Sequence, residues 1–193
     1  MPRPRQPSVT LHMLLLSFFN RGIALSGYDL AMWLKEPVPF IWPVKHSQIY
    51  PALAALESRG DIAGEWKEQR GRPSKKSYRI TKKGRERLRG WLSEPRRSLT
   101  QEETILIAYN HKLVGTDAAK SALRIYRAQA EDEKRQLEAR WHAIAEDAAD
   151  DPAGIRAPFE FAMKTRLARM DWCDWFEAQI AKEHRAARKK RSA

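Results

Sequence analysis

Apolar residues recur along most of this chain at helical spacing, and the pattern switches once to strict alternation. From Val9 to Asn20 nearly every side is apolar (Leu11, Leu14, Leu15, Leu16, Phe18, Phe19), ending at Asn20-Arg21-Gly22. That predicts a helix buried on several sides, with a second subunit as a candidate cover. Ser26-Gly27-Tyr28-Asp29 opens another helix, with Ser26 as its cap, an apolar face of Leu30, Trp33 and Leu34, and Pro37 and Pro39 as its stop. A loop carrying Phe40, Ile41 and Trp42 leads to His46–Gly60, HSQIYPALAALESRG. Here Ile49, Leu53 and Leu56 fall on one stripe, Ser47 stands where a cap is expected, and Gly60 supplies the stop. Ser47, Gln48, Tyr50 and Ala54 lie off that stripe, so the helix has an apolar back and a polar front.

The period then changes. Asp61 to Gln69 alternates around Ile62 and Trp66, and Ser77 to Thr81 alternates around Tyr78 and Ile80. The segment between them is rich in Gly, Pro and basic residues, so a β-hairpin is expected. Thr81-Lys82-Lys83-Gly84 starts a helix through Leu88, Trp91 and Leu92, closed before Pro95. Beyond a linker, Pro95 to Thr100, a helix is expected over Glu102 to Leu113. Another follows from Thr116 or Asp117 to about Ala149, with Leu123, Ala130, Leu137 and Ile144 recurring every seven. Pro152, Gly154 and Pro158 predict a turn over Asp150 to Pro158, and a last helix runs from Phe159 to about Lys182. Two long helices joined by a short turn make an antiparallel hairpin. Tyr126, Trp141, Phe159, Phe161, Trp172, Trp175 and Phe176 exceed what one thin seam can bury, so a second copy of the chain is expected to cover the remainder, the alternative being packing back on the amino-terminal domain.

Charge gives this order a partner. The net charge is +12, with 36 Lys and Arg against 24 Asp and Glu. Residues 1–95 hold 17 of those cations and 8 of the anions, and residues 96–180 hold 13 and 15. Between Lys67 and Arg79 there are six cations and one anion. A basic amino-terminal half suggests a polyanion, and its helices are not surface-lying basic amphipaths, so nucleic acid is favoured over a membrane. The lone Cys173 excludes an internal disulfide, and no signal segment or membrane span is evident, so a cytoplasmic setting is expected.

Three helices followed by a basic hairpin predict a winged helix-turn-helix. Such a fold lays its second helix in the major groove and its wing on the backbone or minor groove. Ser47 and Gln48 are then candidates for base edges or phosphate, Tyr50 for phosphate and a thymine methyl, and Pro51 for stiffening the helix entry. Arg72, Lys75 and Lys76 are candidates for phosphate. The bland alternatives are packing for Tyr50 and a solubilising surface for the hairpin. No nucleophile motif, phosphate-cradling loop or metal-ligand spacing occurs, and the five histidines are scattered. No enzyme, metal or cofactor is expected. A non-enzymatic sensor or adaptor that binds protein through the winged domain and the aromatic carboxy-terminal surface is the alternative.

The residues also resemble a known family. Ser26-Gly27-Tyr28-Asp29-Leu30, His46-Ser47-Gln48-Ile49-Tyr50-Pro51-Ala52-Leu53, Leu56-Glu57, Gly71-Arg72-Pro73, Tyr78-Arg79-Ile80-Thr81 and Gly84 resemble the PadR family of transcriptional regulators. The part after Pro95 resembles the α-helical domain of its larger, virulence-activator-like subfamily. The expected fold class is mainly α: an α+β winged head over 1–95, an antiparallel helical dimerisation and effector domain over 96–183, and a basic tail over 184–193. The resemblance implies a homodimer on a palindromic operator in double-stranded DNA, acting as a repressor. It also implies release by a small aromatic effector near Trp42, His46 and Phe161.

Overall fold

A computed structural model describes residues 9–34, 44–69, 72–144 and 152–191. The chain forms two compact units. One is Met1–Pro95 with Ile105–Val114, and the other is Arg96–Thr104 with Gly115–Ala193. The architecture is mainly α, with one small antiparallel sheet.

The first unit is built around α1 (Val9–Phe19). Leu15, Leu16 and Phe19 are fully buried and Leu14 nearly so. Each such side chain contributes about 1.5–3 kcal/mol of apolar burial. The all-round apolar pattern is therefore satisfied inside the unit, where α1 packs on α3, α4 and β3, and a second subunit is not needed for it. After a two-residue strand, β1 (Leu25–Ser26), α2 (Gly27–Trp33) starts on a reciprocal cap. The Asp29 N–H donates to Ser26 Oγ at 3.2 Å, and the Ser26 N–H donates to Asp29 Oδ2 at 2.8 Å. The helix α3 (His46–Ser58) buries Ile49, Leu53 and Leu56, the stripe read from the sequence, with Ala52 beside them. Gly22 and Gly60, both at positive φ, follow α1 and α3.

The sheet has the order β1-β3-β2, with β2 over Ile62–Gln69 and β3 over Arg72–Ile80. The expected hairpin is present, with Ile62 opposite Ile80, Gly64 opposite Tyr78 and Trp66 opposite Lys76. Strand β1, too short to show a period, pairs Leu25 with Tyr78 and makes β3 the central strand. Then α4 (Lys82–Ser93) is capped by Thr81, whose hydroxyl accepts from the Gly84 N–H at 3.0 Å.

The helix expected over Glu102 to Leu113 is two helices, α5 (Gln101–Tyr109) and α6 (His111–Val114). Asn110 separates them. Its amide donates to Ser17 Oγ and to the Leu106 carbonyl, both at 2.9 Å, which binds Ile105–Val114 into the first unit with α1. A sequence boundary at Pro95 does not register this return, because it depends on contacts with α1 and α4, far away along the chain.

The second unit pairs α7 (Thr116–Ile144) with α8 (Pro152–Arg191). Lys120 meets Glu177, Arg127 meets Asp174, Glu133 meets Arg166 and Arg169, and Trp141 stacks on Phe159. Partners descend along α8 as they ascend along α7, so the pair is antiparallel. Ala119, Leu123, Tyr126, Ala130, Cys173 and Ile180 are buried in it. The turn expected up to Pro158 is instead helical from Pro152. Proline at a first helical position forfeits no bond, and Pro158 forfeits one, so neither stops the helix.

Candidate nucleic-acid interface

The first two turns of α3 present His46, Ser47, Tyr50 and Pro51 to solvent, with Gln48 half-buried beside them. Ser47 is not the cap. Lys45 occupies that position and offers the helix no side-chain acceptor. The Gln48 amide compensates, because its Oε1 accepts the Lys45 N–H at 2.9 Å. Gln48 therefore orders the start of α3 while its amide nitrogen retains donor capacity. Pro51 lacks the N–H that would bond the Ser47 carbonyl. Tyr50 is 51% exposed yet anchored. Its ring meets the His46 ring edge to face at 5.7 Å and lies against Gly27, where an added Cβ would come within 2.6 Å of Tyr50 Cε1. Packing and display are thus combined in one side chain, and Gly27 makes the room.

Two ion pairs tie the hairpin to the helices of the head, one to α2 and one to α3. Lys75 Nζ lies 3.0 Å from Asp29 Oδ1, and Lys76 Nζ lies 2.8 Å from Glu57 Oε2. Burial raises the Asp29 pKa, but the Ser26 N–H, the Lys75 ammonium and the Ser26 hydroxyl outweigh it and hold the carboxyl below its usual range. The bond to Glu57 holds the Lys76 ammonium above its usual range. Arg72 begins β3. Elsewhere in the unit Arg79 Nη1 donates to the Gly22 carbonyl at 3.2 Å, and Lys83 Nζ donates to the Arg59 carbonyl at 2.6 Å. The sequence-derived set Ser47, Gln48, Tyr50 and Pro51 is one contiguous front. The carboxylates that hold Lys75 and Lys76 lie 46 and 19 residues away and had no signature in the spacing.

Of the residues suggested for an effector, Trp42 lies outside the described residues. His46 belongs to the first unit, and Phe161, 75% exposed, belongs to α8 in the second. Within the second unit a cleft of about 580 Å³ is lined by Thr116, Asp117 and Lys120 of α7 and by Ala181, His184 and Arg185 of α8. Burial pushes the Cys173 thiol up to about 11, so it is a packed side chain rather than a reactive one. Among the described residues no group of three His, Cys, Asp or Glu could hold a metal, and no helix is long and apolar enough to cross a membrane.

A winged helix-turn-helix head followed by an antiparallel helical pair defines a class of transcriptional regulator. Residues 15–90 match the family model described as "Transcriptional regulator PadR-like family". The chain is 36% identical over 97 residues to "Negative transcriptional regulator PadR" of Bacillus subtilis, a match covering 49% of this chain and 53% of that protein. It thus spans about half the length of that relative. It is 30% identical over 179 residues to "Probable transcriptional regulator Rv1176c" of Mycobacterium tuberculosis, covering 84% of this chain and 93% of that one. Among solved structures, Bacillus subtilis PadR in complex with operator DNA aligns with a TM-score of 0.43 and 25% identity, covering 88% of this chain and 98% of that one. The chain belongs to the PadR-like family of transcriptional regulators, which are not enzymes.

Proposed function

We propose that this regulator is a cytoplasmic homodimeric repressor that reads a two-fold symmetric operator in double-stranded DNA. The observation that carries the reading is the front of α3. A helix whose back is locked into the core presents Ser47, Gln48, Tyr50 and Pro51 together, beside a hairpin whose segment from Lys67 to Arg79 holds six cations. The front of α3 enters the major groove, and Arg72 at the wing meets phosphate. Repression is carried over from the name of the Bacillus subtilis relative. Dimerisation is supported by Phe161, Leu167 and Trp175, which α8 leaves exposed. A small aromatic ligand would release the DNA.

Selection of bound duplexes from a random library, with and without aromatic acids, tests the reading. A dyad site with half-sites about one helical turn (roughly 34–36 Å) apart is the expected outcome. Recovery of no preferred sequence at low salt would remove sequence-specific DNA reading. Failure of any aromatic acid to lower recovery would remove the ligand response alone.

A further inference from the structure

We infer that Lys76, Glu57 and Gly64 form a clamp that sets the angle of the wing against the reading helix, and that Lys76 is a positioning residue rather than a phosphate ligand. The inference rests on the proposed DNA-binding role of α3 and the wing. Register places Gly64, Trp66, Lys76 and Tyr78 on one face of the sheet, since Trp66 lies opposite Lys76 and Gly64 opposite Tyr78. The Lys76 ammonium lies 5.9 Å from the Trp66 ring centroid and 5.5 Å from that of Tyr78, and it ends 2.8 Å from Glu57 on α3. Both side chains of the pair are about two-thirds covered, at 27% and 33% exposure.

Gly64 is what makes this approach fit. A Cβ there would stand 2.5 Å from Lys76 Cε and 2.6 Å from Glu57 Oε1, so the ion pair fills the space a side chain would take. On the opposite face of β3 the neighbouring Lys75 reaches Asp29, whose carboxylate also closes the α2 cap. Two successive residues of the central strand therefore grip two different helices, α2 and α3. Wing and reading helix are joined on the side of Lys76. For Lys76 to neutralise a phosphate, its ammonium would have to leave a carboxylate at hydrogen-bond distance and two aromatic faces.

The test uses the full chain, fluorescence anisotropy against the duplex the wild type selects, and a KCl series. Lys76→Gln and Gly64→Ala are expected to weaken binding several-fold with the salt slope unchanged, although Gly64→Ala removes no charge. Lys76→Glu weakens it further, and the swap Glu57→Lys with Lys76→Glu restores most of the loss, because the pair re-forms in reverse. Amide exchange across β2 and β3 is expected to quicken in Lys76→Gln and Gly64→Ala, and to slow again in the swap, while the melting temperature changes little. The inference is overturned by a slope that falls by about one unit in Lys76→Gln, the mark of one lost phosphate contact. A swap as weak as Lys76→Glu alone, or normal binding by Gly64→Ala, would also overturn it. If the wild type selects no duplex, the DNA reading fails, and exchange protection in the same variants still decides whether the clamp exists.

Discussion

Gly84→Ala is a substitution that helix propensity alone would favour, since Ala gains up to about 1 kcal/mol over Gly inside a helix. The structure reverses the sign. A Cβ at position 84 would lie 2.0 Å from the Asp61 carbonyl oxygen and 2.8 Å from its carbon. That carbonyl is backbone, and it is already held by the Thr81 N–H at 3.1 Å and the Thr81 hydroxyl at 3.1 Å. Relief requires moving it by more than an ångström, which breaks at least one of those bonds, at about 0.5–1.5 kcal/mol net. Overpacking adds about 1–3 kcal/mol. Set against the propensity gain, the expected loss is about 0.5–3.5 kcal/mol, with a fall in melting temperature of roughly 4–8 °C per kcal/mol for a unit of this size. Gly90, on the same helix, is the control, because a Cβ there meets nothing within 4 Å. Gly90→Ala should stabilise by about 0.5–1 kcal/mol. Urea titration followed by circular dichroism, with unchanged m-values, measures both. Equal shifts of the same sign would refute the packing argument.

Gln48→Ala removes both a helix-start bond and a proposed base contact, whereas Gln48→Glu keeps an acceptor for the Lys45 N–H. Melting should be preserved in the Glu variant, and both variants should lose about 1–3 kcal/mol of preference for the selected duplex over random DNA, read by competition anisotropy. An unchanged preference would remove Gln48 from readout. His12 is buried, and desolvation first, then Arg59 and Arg87, outweigh Asp61 to lower its pKa. The unfolded chain therefore takes up the proton more readily, so stability is complete above about pH 6.5 and falls as pH drops below it. Wild type should melt lower at pH 5.5 than at 7.5, with a smaller difference in His12→Gln; identical differences would contradict this. Phe161→Glu with Trp175→Glu places charges on the exposed side of α8 and should convert the proposed dimer to monomer in sedimentation velocity. A dimer that persists would place the interface elsewhere.

Much of the head was legible because its signals are local. The Ser26–Asp29 box, the Ile49–Leu53–Leu56 stripe and the alternation on either side of the basic segment each depend on residues a few positions apart, where helix and strand periods act directly. The α7 and α8 pairing was legible for the same reason, since both seams recur along single helices. The features that escaped are those in which distant residues meet. Strand β1 exists because Leu25 and Ser26 find β3. The break at Asn110 is fixed by Ser17, 93 residues earlier. The bond that holds Gln48 to the helix start was three residues away, yet the choice of Lys45 over Ser47 as cap depended on where the chain enters α3. Above all, sequence supplied the charge of Lys75 and Lys76 but not its use. Their composition favours phosphate, and only the fold brings Asp29 and Glu57 within hydrogen-bond distance, because an ion pair is decided by separation in space and periodicity carries no record of it.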